Sequence, residues 1–191
     1  MRLIKSVAVV AGLWAGTVMA APTTYIVDPS HTYPSFEADH MGLSTWRGKF
    51  NKSEGKIVLD RENKSGTVDI TVDIKSIDFG HDEMNAHALR DDMFNADKWP
   101  TATFKGKFTE FDGDKPEEAT GEFTLMGVTK TVKMDIDDFK CIDHPMEKRE
   151  ACGADVTMSF DRTDYGLDFG IDMGFNPEVK LAIQVEALKE Q

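Results

Sequence analysis

Hydrophobic and polar residues alternate with a period of two through most of the chain. Between Thr67 and Lys75, Val68, Ile70, Val72 and Ile74 fall on one side and Thr67, Asp69, Thr71, Asp73 and Lys75 on the other. Successive side chains of a strand point to opposite faces, so this segment reads as a strand with one apolar and one wet face. The register recurs in Ala102, Phe104, Gly106, Phe108; in Gly121, Phe123, Leu125; in Val132, Met134, Ile136; in Val156, Met158, Phe160; and in Val179, Leu181, Ile183, Val185. Nearer the front, Phe36, Ala38 and His40 share a face, as do Trp46, Gly48, Phe50 and then Gly55, Ile57, Leu59. Turn residues at Glu62 to Gly66, Asp112-Gly113-Asp114, Met126-Gly127 and Asn176-Pro177 cut the pattern at short intervals, which makes consecutive strands antiparallel neighbours. With residues 45–60 taken as one long bent strand, the count is eight. Strands that are apolar on one side only either close into a barrel, removing their edges, or fold over as a sandwich. An eight-stranded antiparallel barrel is the expected form.

One segment breaks the alternation. Between Gly80 and Pro100, Ala86, Leu89, Met93 and Ala96 recur at helical spacing, which predicts a short helix over about 82–97. Asp82 and Glu83 suit its N-terminus, and Trp99-Pro100 disfavours helical geometry before the next strand. The helix is expected across one end of the barrel or along its flank.

The first twenty residues follow another logic. Arg2 and Lys5 precede an apolar run from Val7 to Val18, which ends in Val18, Met19, Ala20. That is the layout of a secretory signal peptide, with cleavage after Ala20 because a cut after Ala21 would set Pro22 beside the scissile bond. The apolar run is too short to span about 30 Å of hydrocarbon, so stable membrane insertion is not expected. Residues 21–191 then form one domain, exported to the periplasm or an equivalent space.

Charge narrows the function classes. The formal net charge is −12, and loss of Arg2 and Lys5 with the leader takes it to −14. Nucleic-acid binding needs clustered Lys and Arg for counterion release, and docking on anionic lipid needs the same, so both are disfavoured. Cys141 and Cys152 lie at the facing ends of two strands, and a disulfide stapling that hairpin is the expected state in an exported protein. A pair of free thiols is the alternative; it lacks a CxxC spacing and a clustered histidine. The five histidines are scattered, and no HExxH, GxSxG, P-loop or GxGxxG pattern occurs. No metal or cofactor is therefore expected.

What remains is the apolar lining. A barrel of this size is either filled by its own side chains or holds one small ligand. Gly48, Gly55, Gly106 and Gly121 interrupt the inward faces and either leave space or let strands bend. Both readings of the interior stay open at this level.

Several stretches then match a known pattern: Asp28-Pro29-Ser30-His31 with Phe36 and His40-Met41-Gly42; Met84-Asn85-Ala86-His87 through Phe94 to Lys98-Trp99-Pro100-Thr101-Ala102-Thr103-Phe104; Gly121-Glu122-Phe123-Thr124-Leu125 with Gly127-Val128-Thr129-Lys130; Arg162-Thr163-Asp164-Tyr165-Gly166; and Glu178-Val179-Lys180-Leu181. In this the chain resembles the YceI-like family of exported polyisoprenoid-binding proteins, whose fold is a lipocalin-like barrel. The resemblance implies a non-enzymatic binder of a long isoprenoid or fatty amphiphile, its tail inside the barrel and its head near the mouth. By position, Phe36, Phe104, Phe108, Phe123 and Leu125 would line the tail. Trp46, Phe50, Ile70, Val72, Phe94, Met134, Met158, Phe160, Leu181 and Ile183 complete the expected lining, with His87 and Arg90 at the mouth. Relatives commonly read His-Leu-Arg where this chain has His87-Ala88-Leu89-Arg90, a displacement that turns a helical side chain by about 100°. The rival functions are a lipid-modifying enzyme using His87, Arg90, Asp91 or Asp92 as acid or base, and a filled barrel that binds a partner. Pairing through an edge strand would give a homodimer.

Overall fold

A computed structural model describes residues 21–191; the leader predicted over 1–20 lies outside the described residues. Eleven strand segments and one helix follow in order: β1 (Thr23–Val27), β2 (Tyr33–His40), β3 (Ser44–Phe50), β4 (Ser53–Asp60), β5 (Ser65–Asp73), β6 (Ile77–Asp78), α1 (Asp82–Ala88), β7 (Thr101–Asp112), β8 (Lys115–Leu125), β9 (Val128–Asp143), β10 (Glu150–Asp161) and β11 (Glu178–Lys189). All pairings are antiparallel, and β1 pairs both β4 and β11, which closes the sheet on itself.

Three interruptions reconcile eleven segments with eight strands. β2 pairs the first half of β11 and β1 its last residues, so β1 and β2 run beside it as one strand broken at 28–32. Pro29 cannot donate to a ladder, and the buried Thr32 hydroxyl takes over there. Its Oγ1 donates to the Glu186 carbonyl and accepts from the Glu186 N–H, both at 3.1 Å. β3 and β4 are likewise one strand bent at Asn51 and Lys52, whose N–H groups donate to the Ser76 carbonyl and the Ser76 hydroxyl. Ser76 belongs to the 3-10 turn Ile74–Ser76 that bends β5 into β6. Breaks in three adjacent strands let the sheet curl over. The result is the predicted eight-stranded closed barrel, including the bent strand at residues 45–60.

The helix is shorter than its periodicity suggests. It stops at Ala88, and residues 89–99 continue as overlapping turns. The Ala88 carbonyl is taken by Phe94 N–H, the Leu89 carbonyl by Ala96 N–H, and Asn95 sits at a φ of 47°, left-handed backbone that Asn tolerates. Arg90 pairs with Asp92 two residues on, a spacing that helical geometry does not bring together. Apolar positions at three-residue and four-residue steps are thus met by a compact turn that still buries Ala88 and Ala96.

The inward glycines neither open a void nor mark simple bends. Gly106 and Gly121 face each other across β7 and β8. A Cβ on Gly121 would stand 2.3 Å from the Gly106 Cα, and one on Gly106 would stand 2.7 Å from the Phe104 ring. Their missing side chains let strand meet strand and a ring lie flat on the backbone. The two cysteines are bonded directly across β9 and β10, packed with Tyr25, Leu59 and Ala187 at one end of the barrel.

Candidate ligand-binding cavity

The inward faces of the strands do not meet. They enclose a cavity of about 410 Å³ whose wall is almost entirely apolar, within the range of small-molecule sites. Phe108, Phe160, Ile70, Val72, Leu181 and Ile183 all point inward yet remain only half-buried, because their free surface faces this cavity. A core packed on itself would bury such residues completely.

The two ends differ. At one, Tyr25 is 3% exposed, Leu59 3% and Ala187 2%, and the disulfide packs among them, which seals the barrel. Tyr25 donates its hydroxyl to Glu150 Oε1 at 2.5 Å, and burial, then this carboxylate, push the phenol well above its ordinary range. At the other end a collar of half-buried rings surrounds the opening. His40 stacks on Trp46 with centroids 5.1 Å apart and meets the edge of Phe175 at 5.4 Å. His87 meets Phe169 edge-on at 5.0 Å, and Phe79 touches both Trp46 and Phe36. Asn176 N–H donates to Asp39 at 3.1 Å, tying the loop at 166–177 to the end of β2.

The wall contains every expected lining residue except Met158. Met158 shares a strand face with Val156 and Phe160 but is buried within the packed cluster and does not reach the cavity. His87 lies on the wall and Arg90 does not: its side chain is 60% exposed and bonded to Asp92 at 2.9 Å. Arg90 falls beyond the end of α1, so the helical rotation read in the sequence does not set its direction. Asp92 is paired with Arg90, and His87 packs edge-on against Phe169; among the described residues no hydrogen bond joins His87 to Asp91 or Asp92. Among the described residues no three His, Cys, Asp or Glu side chains converge as a metal site.

Periodicity missed the loop after β10. Leu167, Phe169 and Phe175 complete the opening, together with Phe79, Met84 and Met93. Sequence pattern carries no sign of Leu167, Phe169 and Phe175, because irregular loops have no period to read. Arg162 also lies on the wall at 7% exposure. It opens the 3-10 turn Arg162–Tyr165, and its Nη1 donates to the Leu167 carbonyl at 2.5 Å. Burial lowers the guanidinium from its ordinary range, partly offset by Asp168 and Asp161.

No helix among the described residues is long and apolar enough to cross a membrane. A family model described as a YceI-like domain matches residues 25–187. A UPF0312 protein of Pseudomonas aeruginosa is 32% identical over 92% of this chain and 91% of its own length. Protein YceI of Escherichia coli is 30% identical over 93% of this chain and 92% of its own length. Among solved structures, Burkholderia cenocepacia BcnA superposes with a TM-score of 0.69 at 19% identity, covering 84% of this chain and 98% of its own. A polyisoprenoid-binding domain from Saccharophagus degradans, implicated in plant cell wall breakdown, gives 0.63 at 14% identity, covering 88% and 99%. The continuous match from the first barrel strand to the last makes this chain a member of the YceI-like family.

Proposed function

We propose that the protein is a non-catalytic carrier or scavenger of a long-chain isoprenoid or similar amphiphile, working in the periplasm. The cavity carries this reading. An apolar wall without contacts on its inner side forgoes the burial and dispersion that a packed core would have. An occupant with an apolar tail recovers the loss: twenty buried carbons contribute about 16 kcal/mol at ~0.8 kcal/mol each, against an association cost of roughly 4 to 15 kcal/mol.

The exterior supports a protein that works in water. Lys105, Lys107, Glu122, Lys133, Asp135, Asp155 and Lys180 point outward and are exposed, the reverse of a membrane barrel with its apolar belt. The leader-like first twenty residues support export, and the polyisoprenoid-binding domain with the same fold supports the ligand class. Organic extraction of freshly purified protein followed by mass analysis tests the reading. An extracted isoprenoid or fatty amphiphile in near-stoichiometric amount is the expected result; a protein that yields none, and takes up none when offered, is not a carrier.

A further inference from the structure

Arg162 is an unusual residue to find on the wall of an oily cavity. The residue is 7% exposed, yet among the described residues no carboxylate comes within 4.0 Å of its guanidinium. The hydrogen bond it makes, Nη1 to the Leu167 carbonyl, uses one of five N–H donors. The two nearest negative charges do not fill the gap. Asp161 is exposed and its Oδ1 is occupied by the Thr163 N–H and hydroxyl, and Asp168 is exposed. Asp39, the other charged residue on the wall, accepts from the Gly42 and Asn176 N–H groups. A buried cation without a counter-ion is costly, and the cost falls when something else supplies the anion.

The position suits that anion. Arg162 lies just past β10 at the open end, under the loop that bears Phe169 and Phe175. From there the apolar wall runs the length of the barrel to Tyr25 and Cys152. Resting on the carrier reading, we propose that Arg162 receives the anionic head, a carboxylate or a phosphate, of the amphiphile whose tail fills the barrel. Guanidinium binds either oxyanion in a two-pronged fashion, which fixes the direction of the bound lipid, head at the mouth and tail toward the sealed end. The apolar wall sets tail length, and Arg162 discriminates by head charge.

Tail-matched probes test this on delipidated protein: farnesyl phosphate against farnesol, and palmitate against hexadecanol, by calorimetric titration. The wild-type protein should bind each anion about tenfold or more tightly than its neutral partner. In Arg162→Gln the preference, taken as the ratio of anionic to neutral affinity, should fall to within about twofold, and Arg162→Lys should recover part of it. A preference in one pair only, lost in Arg162→Gln, also supports the role and assigns the head to phosphate or to carboxylate. A second measurement needs no variant. Palmitate labelled with ¹³C at its carboxyl should stay ionised in the complex below the ordinary carboxylic range; a carboxyl lodged against apolar wall would instead titrate above it. Equal affinity for anionic and neutral lipids, an unchanged preference in Arg162→Gln, or an upward-shifted carboxyl each overturns the role of Arg162 and leaves the carrier standing. Failure of all four lipids to bind overturns the carrier itself.

Discussion

At Gly121 a single added methyl group would collide with the backbone of the neighbouring strand, at 2.3 Å from the Gly106 Cα. Backbone in a closed ring cannot move aside cheaply. Gly121→Ala should therefore destabilise the protein by about 1–3 kcal/mol, the usual range for overpacking, measured by equilibrium urea unfolding. Phe104 presents the opposite case: it is 6% exposed, packs across Gly106 and faces the cavity. Phe104→Asp or Ile70→Lys would set an unpaired charge against apolar wall at a cost of several kcal/mol. Loss of lipid from the purified protein, and in the worse case of soluble protein, is the expected outcome.

Elements are held to the barrel by small polar knots. Asp78 accepts from Gly80 N–H at 2.7 Å, from Asn51 at 3.2 Å and from Asn85 at 3.4 Å, which ties the end of β6 to the β3–β4 bend and to α1. The Gly80 N–H, then the two amides, hold this carboxyl below its ordinary range. Since the folded value is the lower one, the unfolded chain takes up the proton first. The contribution to stability is present above the unfolded carboxylate value of about 3.9 and is lost as pH falls through the folded value. Asp78→Asn should accordingly be less stable than wild type at pH 7, with the gap closing below about pH 4, read from urea midpoints at the two pH values. At the sealed end, the disulfide spans 11 residues of sequence. Its reduction should cost about 3 kcal/mol in the chain-entropy model, measured by denaturant unfolding with and without reductant.

The whole molecule is a sheet that closes before its middle is filled. Stability and occupancy are then linked, because a ligand that binds only the folded barrel stabilises it by mass action. Delipidated protein should melt below the protein as purified, and a tail-matched lipid at one hundred times its Kd should restore about 2.7 kcal/mol, roughly 5–10 °C for a chain of this size. A melting temperature indifferent to extraction and reloading would show that the interior needs no guest.

The long strands, the bent strand at 45–60 and an eight-stranded barrel were legible in the chain, whereas β1 and the two-residue β6, too short to show a period, were not. Alternation fixes which side of a strand is apolar, and one-sided apolar strands must hide that side. Of the residues expected to line the interior, those on strands fall on the cavity wall except Met158, which sits behind its neighbours. Alternation could not say whether facing side chains touch, because that depends on barrel radius and on which rings lie flat over glycine. Nor could it stop the helix at Ala88, a point settled by the carbonyls that Phe94 and Ala96 reach from the following turns. Arg162 and the loop bearing Phe169 and Phe175 belong to the same class: a residue's neighbours across the barrel are brought near by closure, and periodicity along the chain holds no record of them.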